Sequence, residues 1–499
     1  MCNKPLFTSA DWDNTLIQDM WKVIDKIARD RFGLDYYSNP DIEIVSYDQM
    51  IHYCNNNGLP IMYDHWSLGR DYIQTKKDYA AGQQGLAYEV VINPNPIRAY
   101  LLDTNSATMQ ALVLAHAICG HGSFFTTNYC FKTWTAADYI LDYMRYAKEY
   151  IANCEEKYGH DIVELLLDAC HSLSLFGVDK YKRPQPLKEE EIKSKYLLYK
   201  SSIENQYNIL WKEKTQKIKT FNQFKYELKR QLPEENLLYY VEKHSLVLQP
   251  WQKEIVRIVR KISQYFYPQR LTKLMNEGFA TFVHYELMSE LYSQGHLTDG
   301  SYLEFLDSHC AVSRQPDYTH INVYALGYAM FKDVKRICLG EDIDELDKKY
   351  FNDIIKRDYW EVIKEIVANY RDETFLLQWL SPRIVKEFKL FTLYDDSESK
   401  HQLIEHVHSE EDYIELKQVL ASNWSLGDRI PYIEIVAEQD RTHKLILAYK
   451  AANDQLLESK SAEKTLAALA AIWGASCEIR SYTEDGQRTV FDDREILEE

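Results

Sequence analysis

Between Leu271 and Glu290 apolar side chains fall on almost every face of a helical period. Such a helix is stable only with other elements packed all round it, so the segment belongs at the centre of a predominantly helical fold. The polar residues inside it are therefore the informative ones. Glu277, Ala280, Thr281, His284 and Met288 share one side, and a buried carboxylate and imidazole on that line need partners.

Candidate partners lie far upstream, in His116-Ala-Ile-Cys-Gly-His-Gly-Ser-Phe-Phe125. Ser106 to Cys119 has helical periodicity, with Met109, Leu112, Val113 and His116 at i, i+3, i+4 and i+7. On a straight helix His121, five positions later, would stand roughly 140° away from His116. Gly120 is therefore expected to close the helix in a left-handed conformation, letting the chain turn and bring both rings to one point.

One histidine on an apolar stripe is most often a hydrogen-bonded core residue. Two histidines with a glutamate at helical spacing are a common first shell for catalytic zinc and non-haem iron. The expected ligands of a divalent metal (zinc, iron or manganese) are His116, His121 and Glu277. Glu277 and His284 are seven residues apart, about 10.5 Å along a helix, so one ion reaches both only if both side chains stretch. His284 is accordingly expected as a fourth ligand or as the catalytic proton-transfer group. Glu89, in the β-branched run Tyr88 to Ile92, either orients a ligand histidine from behind or faces solvent from an edge strand. Cys119 and Cys130 flank His121 as alternative soft ligands, although free cysteine is usually a small core residue. His65, in Tyr63-Asp-His-Trp-Ser67, is open to a site role, although a locally bonded histidine is the commoner case. His171 stands seven positions after Glu164, a spacing that any long helix produces by chance.

Length and charge narrow the class. The chain has 499 residues and a formal net charge of -18, which argues against a nucleic-acid partner. Its nine cysteines contain no Cys-x-x-Cys pair, as expected of reduced thiols in a cytoplasmic protein. The N-terminus has no signal-type apolar run, and no stretch is long enough for a transmembrane segment. No glycine-rich nucleotide loop is present.

The expected fold class is α+β, predominantly α-helical: a large helical domain with a short β element, followed by a small C-terminal α+β domain. Residues 1–179 form the first part of the main domain, with His116 and His121. Residues 180–235 are a charged helical insert or linker. Residues 236–388 supply the second part, with Asn276-Glu277-Gly278, and 389–499 the small domain. Within this scheme residues 9–33 read as a helix capped by Ser9, and 42–56 as another. Arg257 and Arg260 share a helix face suited to holding an anion or pairing with acids, although a plain solvated face is the commoner case, and Asp485-Gly486 reads as a turn.

Several stretches together resemble the SpoVR (stage V sporulation protein R) family. They are Tyr63-Asp-His-Trp-Ser, Gly85-Leu-Ala-Tyr-Glu-Val-Val-Ile-Asn, Ala115-His-Ala-Ile-Cys-Gly-His with Phe124-Phe125, Gln264-Tyr-Phe-Tyr-Pro-Gln, Met275-Asn-Glu-Gly-Phe-Ala and Tyr324-Ala-Leu-Gly. They run in order through most of the chain. Phe279 and Val323 stand where the family more often has Trp and Pro. The resemblance implies a role in spore cortex formation, the cell wall and envelope, and stress response. It also implies as partners a serine protein kinase pathway or cell-envelope enzymes. Asn276-Glu-Gly-Phe-Ala280 is in addition similar to the zinc-ligand segment of gluzincin aminopeptidases, in which the glutamate is the third ligand. Those enzymes carry His-Glu-x-x-His; here the histidines are one residue farther apart and no Glu follows His116. The usual general base is thus missing from its place. Two functions remain open at this point: a metal-dependent hydrolase or oxidative enzyme, and a non-enzymatic regulator or scaffold whose His/Glu cluster is a structural polar core.

Overall fold

The structure, a computed structural model, describes residues 4–37, 39–55, 61–67, 89–135, 137–183, 187–207, 232–316, 319–395, 402–406, 409–425, 430–439, 441–450, 456–482 and 488–492, with positions 70, 73, 74, 77, 219–221, 224 and 228. The Gly85–Tyr88 part of the expected strand, the Asp485-Gly486 turn and much of 208–231 lie outside the described residues. The fold is predominantly helical with small sheets. It divides into two compact units, one of Met1–His160 with Tyr265–Arg429, the other of Asp161–Gln264 with Ile430–Glu499.

At the centre of the first unit is the helix Lys273–Ser293, with Leu274, Met275, the run Gly278 to His284, Leu287, Met288, Glu290 and Leu291 all buried. The segment Leu114–His121 and the helix Val323–Leu339 pack on it most extensively. Glycines set how close they come. A Cβ on Gly278 would lie 2.4 Å from the Gly327 Cα, and one on Gly327 would lie 2.5 Å from the Leu274 carbonyl oxygen. A Cβ on Gly120 would lie 2.6 Å from the Ala280 Cα. The backbones meet where a side chain would stand, which is what glycine permits.

The central helix starts without a capping side chain from its own N-cap, Thr272. Asp372, 1% exposed, supplies the cap from elsewhere in the chain, accepting from the backbone N–H groups of Leu274 and Met275 at 2.9 Å each. Burial pushes its carboxyl up to about 7, against the pull of those N–H donors. Asp372→Ala strands two buried donors, and urea denaturation should show a loss of about 2 kcal/mol.

Three strands flank the site: β1 (Asp41–Val45), β2 (Glu89–Ile92) and β3 (Arg98–Leu102). β3 is in the middle, parallel to β1 and antiparallel to β2. Part of the helix expected at 42–56 is therefore strand. Asp41-Ile-Glu-Ile-Val45 alternates with period two and pairs along β3, and helix begins only at Tyr47. The first helix is Asn14–Asp30, and its cap is Asp13 rather than Ser9, accepting from the Leu16 N–H at 2.7 Å. A hairpin of β4 (Phe391–Asp395) and β5 (Gln402–His406) and a helix, Glu410–Trp424, close this unit. That last helix was not anticipated from the sequence.

The second unit is built on a sheet with order β6 (Ile433–Glu438), β7 (Leu445–Lys450), β8 (Cys477–Tyr482) and β9 (Arg488–Asp492). Its parallel β7–β8 pair is joined through the helix Ser459–Trp473, which ends at the left-handed Gly474. The helix Leu237–His244 joins this unit: Tyr240 stands 5.5 Å from the Trp473 ring, and the Ser245 hydroxyl donates to the Ile472 carbonyl at 3.0 Å. The division thus runs differently from the sequential one read from sequence, because residues far apart in the chain share one core. Arg257 and Arg260 do not form a solvated face. Both guanidinium groups bond the buried Glu242 carboxylate, at 3.0 and 2.9 Å. No helix among the described residues is long and apolar enough to cross a membrane.

Candidate metal centre

His116 and His121 lie on Leu114–His121, a π-helical segment buried along its whole length. A π-helix closes its turns with i→i+5 bonds, so residues five apart stand above one another. The Gly122 N–H bonds the Ala117 carbonyl in that pattern. The two imidazoles therefore share a face, with ring centroids 4.7 Å apart and planes at 89°. Gly120 does not end the helix. The chain runs on into Gly122–Thr127, and Gly120 is absent from the left-handed glycines. Its role is the close approach to Ala280, and the wider turn does what the expected break would have done.

The ring nitrogens divide into two sets. His121 Nδ1 is 2.9 Å from Asn276 Oδ1, and its Nε2 is 3.6 Å from the Glu277 carboxylate. His116 Nδ1 is 2.9 Å from His284 Nδ1, and its Nε2 is 3.7 Å from the Glu89 carboxylate. One donor atom from each of His116, His121 and Glu277 falls within 4.8 Å of the others. A divalent ion bonded at about 2.0–2.2 Å needs its donors closer than that, which small torsions of a half-buried glutamate can supply. The donor set fits such an ion: two imidazole nitrogens and a carboxylate, each histidine steered by a hydrogen bond at its other nitrogen.

His284 does not stand in that group. Its Nε2 lies 2.9 Å from His309 Nδ1, so both of its nitrogens are engaged and it links His116 to His309. Burial, then the neighbouring imidazoles, hold His116 and His284 well below the usual histidine range, and burial with the Lys332 charge brings His309 down to about 4. Three neutral imidazoles in a row allow only two proton arrangements. In one, His116 keeps its proton on Nδ1 and donates to His284, which donates to His309; His116 Nε2 is then a free lone pair. In the other all three are reversed and Nε2 carries the proton toward Glu89. Only the first leaves His116 able to bind a metal.

Sequence reasoning left Glu89 divided between two roles, and its carboxylate turns to the site. Burial and the Glu277 charge push its carboxyl up to about 8. Tyr324, whose hydroxyl bonds the Glu277 carboxylate and is raised mainly by burial, was seen only as part of a motif. Asn276 and His309 were missed as partners, since hydrogen bonds between distant helices leave no local pattern. Cys119 faces the Tyr36 hydroxyl at 3.6 Å, and burial pushes the Cys119 and Cys130 thiols up to about 12 and about 11. Neither belongs to the ligand group. His65 is bonded to the Ser67 hydroxyl at 2.7 Å, and His171 lies on a helix of the second unit.

A cavity of about 420 Å³ opens beside the group, with His121, Asn276 and Glu277 on one wall and Val91, Phe125 and Phe266 on others. The size is within the usual range for small-molecule sites.

Residues 11–429 match the family model described as SpoVR like protein. The chain is 42% identical over 489 residues, 96% of this chain and 94% of the relative, to a protein of Escherichia coli strain K12 named "Uncharacterized protein YcgB". No solved structure matches the chain.

Proposed function

The chain belongs to the SpoVR family, and from that premise we propose that His116, His121 and Glu277 hold a divalent metal (zinc, iron or manganese) in a hydrolytic or oxidative centre. The observation that carries this is the convergence of one ring nitrogen from each histidine and a carboxylate, while Asn276 and His284 bond the Nδ1 atoms of His121 and His116. The adjoining cavity favours a reactive site over a closed structural cage, which would surround its ion with four protein ligands. A bound ion would supply Lewis acidity and an activated water.

The chain's own residues have distinct tasks. His116 and His121 present lone pairs, and Asn276 and His284 hold their rings in that orientation. Tyr324 orients the Glu277 carboxylate through its hydroxyl. Glu89, on the His116 side, holds or passes a proton at its carboxyl oxygen. His284, expected as the catalytic group, is here a positioning residue that acts through His116. A cytoplasmic location, a place in sporulation, cell-wall and stress physiology, and a link to a serine protein kinase or envelope enzymes belong to this proposal, on the family relationship alone.

Elemental analysis of protein purified without chelator tests the reading. Close to one zinc, iron or manganese per chain is the expected result. Metal-free protein that takes up none of the three on addition would remove it. That result would favour the regulator or scaffold reading, which the unbroken His116–His284–His309 hydrogen-bond chain supports as a self-satisfied polar core.

A further inference from the structure

The cavity beside His121 and Glu277 carries two cations that the metal reading does not use. Arg270 and Lys273, at the junction between the helices Pro250–Leu271 and Lys273–Ser293, line it. The chain as a whole is acidic, with a formal net charge of -18, and many cations of the first unit stand in ion pairs, such as Arg336 with Asp333 and Asp347. Among the described residues Arg270 and Lys273 have neither an acidic partner nor a hydrogen bond from their side chains. Crowding by protein lowers the Arg270 guanidinium, and no neighbouring carboxylate offsets it. The adjacent helix start does not balance these charges, since a helix N-terminus is itself positive, and its N–H groups are taken by Asp372.

Both side chains are exposed and, among the described residues, carry no acidic partner, so their donors are free to meet an oxyanion that enters the cavity. The other walls say what the rest of that molecule is. Val91, Phe125 and Phe266 are apolar and offer contact to a hydrocarbon or ring portion. His121 and Glu277 lie on the same cavity, so a molecule anchored at the cations extends toward them.

We propose that this cavity takes a small substrate with a carboxylate or phosphate group, its oxyanion held between Arg270 and Lys273 and its apolar portion against Phe125 and Phe266. The Arg270 fork is suited to bidentate oxyanion contact, and Lys273 adds a point charge. The inference rests on the proposed metal site for the direction of the reacting bond, but the anion anchor stands without the metal. With a divalent ion balancing Glu89 and Glu277, the two cations would leave the loaded site complementary to an anion.

The test separates the two claims by using chelator-stripped protein, so that no metal can hold the anion. Benzoate, phenylphosphonate and the neutral benzamide are titrated calorimetrically into the wild type, Arg270→Gln/Lys273→Gln and, as a control, Lys386→Gln. The expected result is that both anions bind the wild type about tenfold or more tighter than benzamide. The double variant should lose that margin with benzamide binding unchanged, and Lys386→Gln, at an exposed cation outside the cavity, should keep it. Anions that bind the wild type no tighter than benzamide, or as tightly to the double variant, overturn the proposal. Both cations are exposed residues, and circular dichroism confirms that the double variant is folded. Anion selectivity in a protein that takes up no metal would sink the metal reading alone; metal uptake without anion selectivity would sink this one alone.

Discussion

Gly278→Ala is expected to destabilise the first unit by about 3 kcal/mol, the upper end for overpacking a core. The added Cβ would stand 2.4 Å from both Cα and C of Gly327. Those atoms are backbone of the facing helix and have no rotamer to change. The helices Lys273–Ser293 and Val323–Leu339 would have to separate, loosening Met275, Phe279 and Phe282 against Leu326, Met330 and Phe331 in the shared core. Each gap left between such side chains forfeits dispersion contacts. Gly300→Ala is the control, because its Cβ would meet nothing closer than the Thr298 hydroxyl at 3.9 Å. In that helix the change should be neutral or stabilising by up to about 1 kcal/mol. Urea denaturation of both variants distinguishes the cases. Equal midpoints would show that the Gly278–Gly327 contact does not hold the helices together.

The central helix was legible in the sequence because a segment apolar on every side admits one environment. The pairing of His116 and His121 with Glu277 was legible for a related reason: charged or polar groups on buried stripes must meet something polar. What the sequence did not reveal was how the two histidines reach one face. A left-handed break at Gly120 and an i→i+5 turn both solve the five-residue spacing, and local propensity does not choose between them. Packing does, because the backbone of Gly120 lies against Ala280 with no room for a Cβ. β1 was misread because Asp41 to Val45 is short and stands directly before a helix, so its alternation was absorbed into the longer period. The second unit was misplaced because the contacts that join Tyr240 to Trp473 cross more than two hundred residues.

The proposed metal centre gives the second large effect, which would separate ligands from the residues that orient them. In stripped protein titrated with zinc against a chelating dye, Glu277→Ala and His121→Ala should each weaken affinity by on the order of 10²–10³-fold. Each would remove one of the three proposed ligands, which on the scale of structural zinc sites share a binding free energy of about 10–16 kcal/mol. His284→Leu should cost less, about 10–100-fold, the usual effect of losing a group that holds a ligand histidine. Leucine keeps every ligand but cannot accept the His116 Nδ1 proton. The other tautomer, with its proton on Nε2 facing Glu89 at 3.7 Å, then becomes competitive. Metal must displace that proton before it binds. His284→Gln offers an amide oxygen as acceptor in roughly the same place, and it should recover part of the loss. That recovery distinguishes a tautomer effect from simple core damage, which glutamine at a 3% exposed position would worsen rather than repair. Unchanged zinc affinity in His284→Leu would show that the imidazole chain does not set the state of His116, and the row of three histidines would then be packing alone.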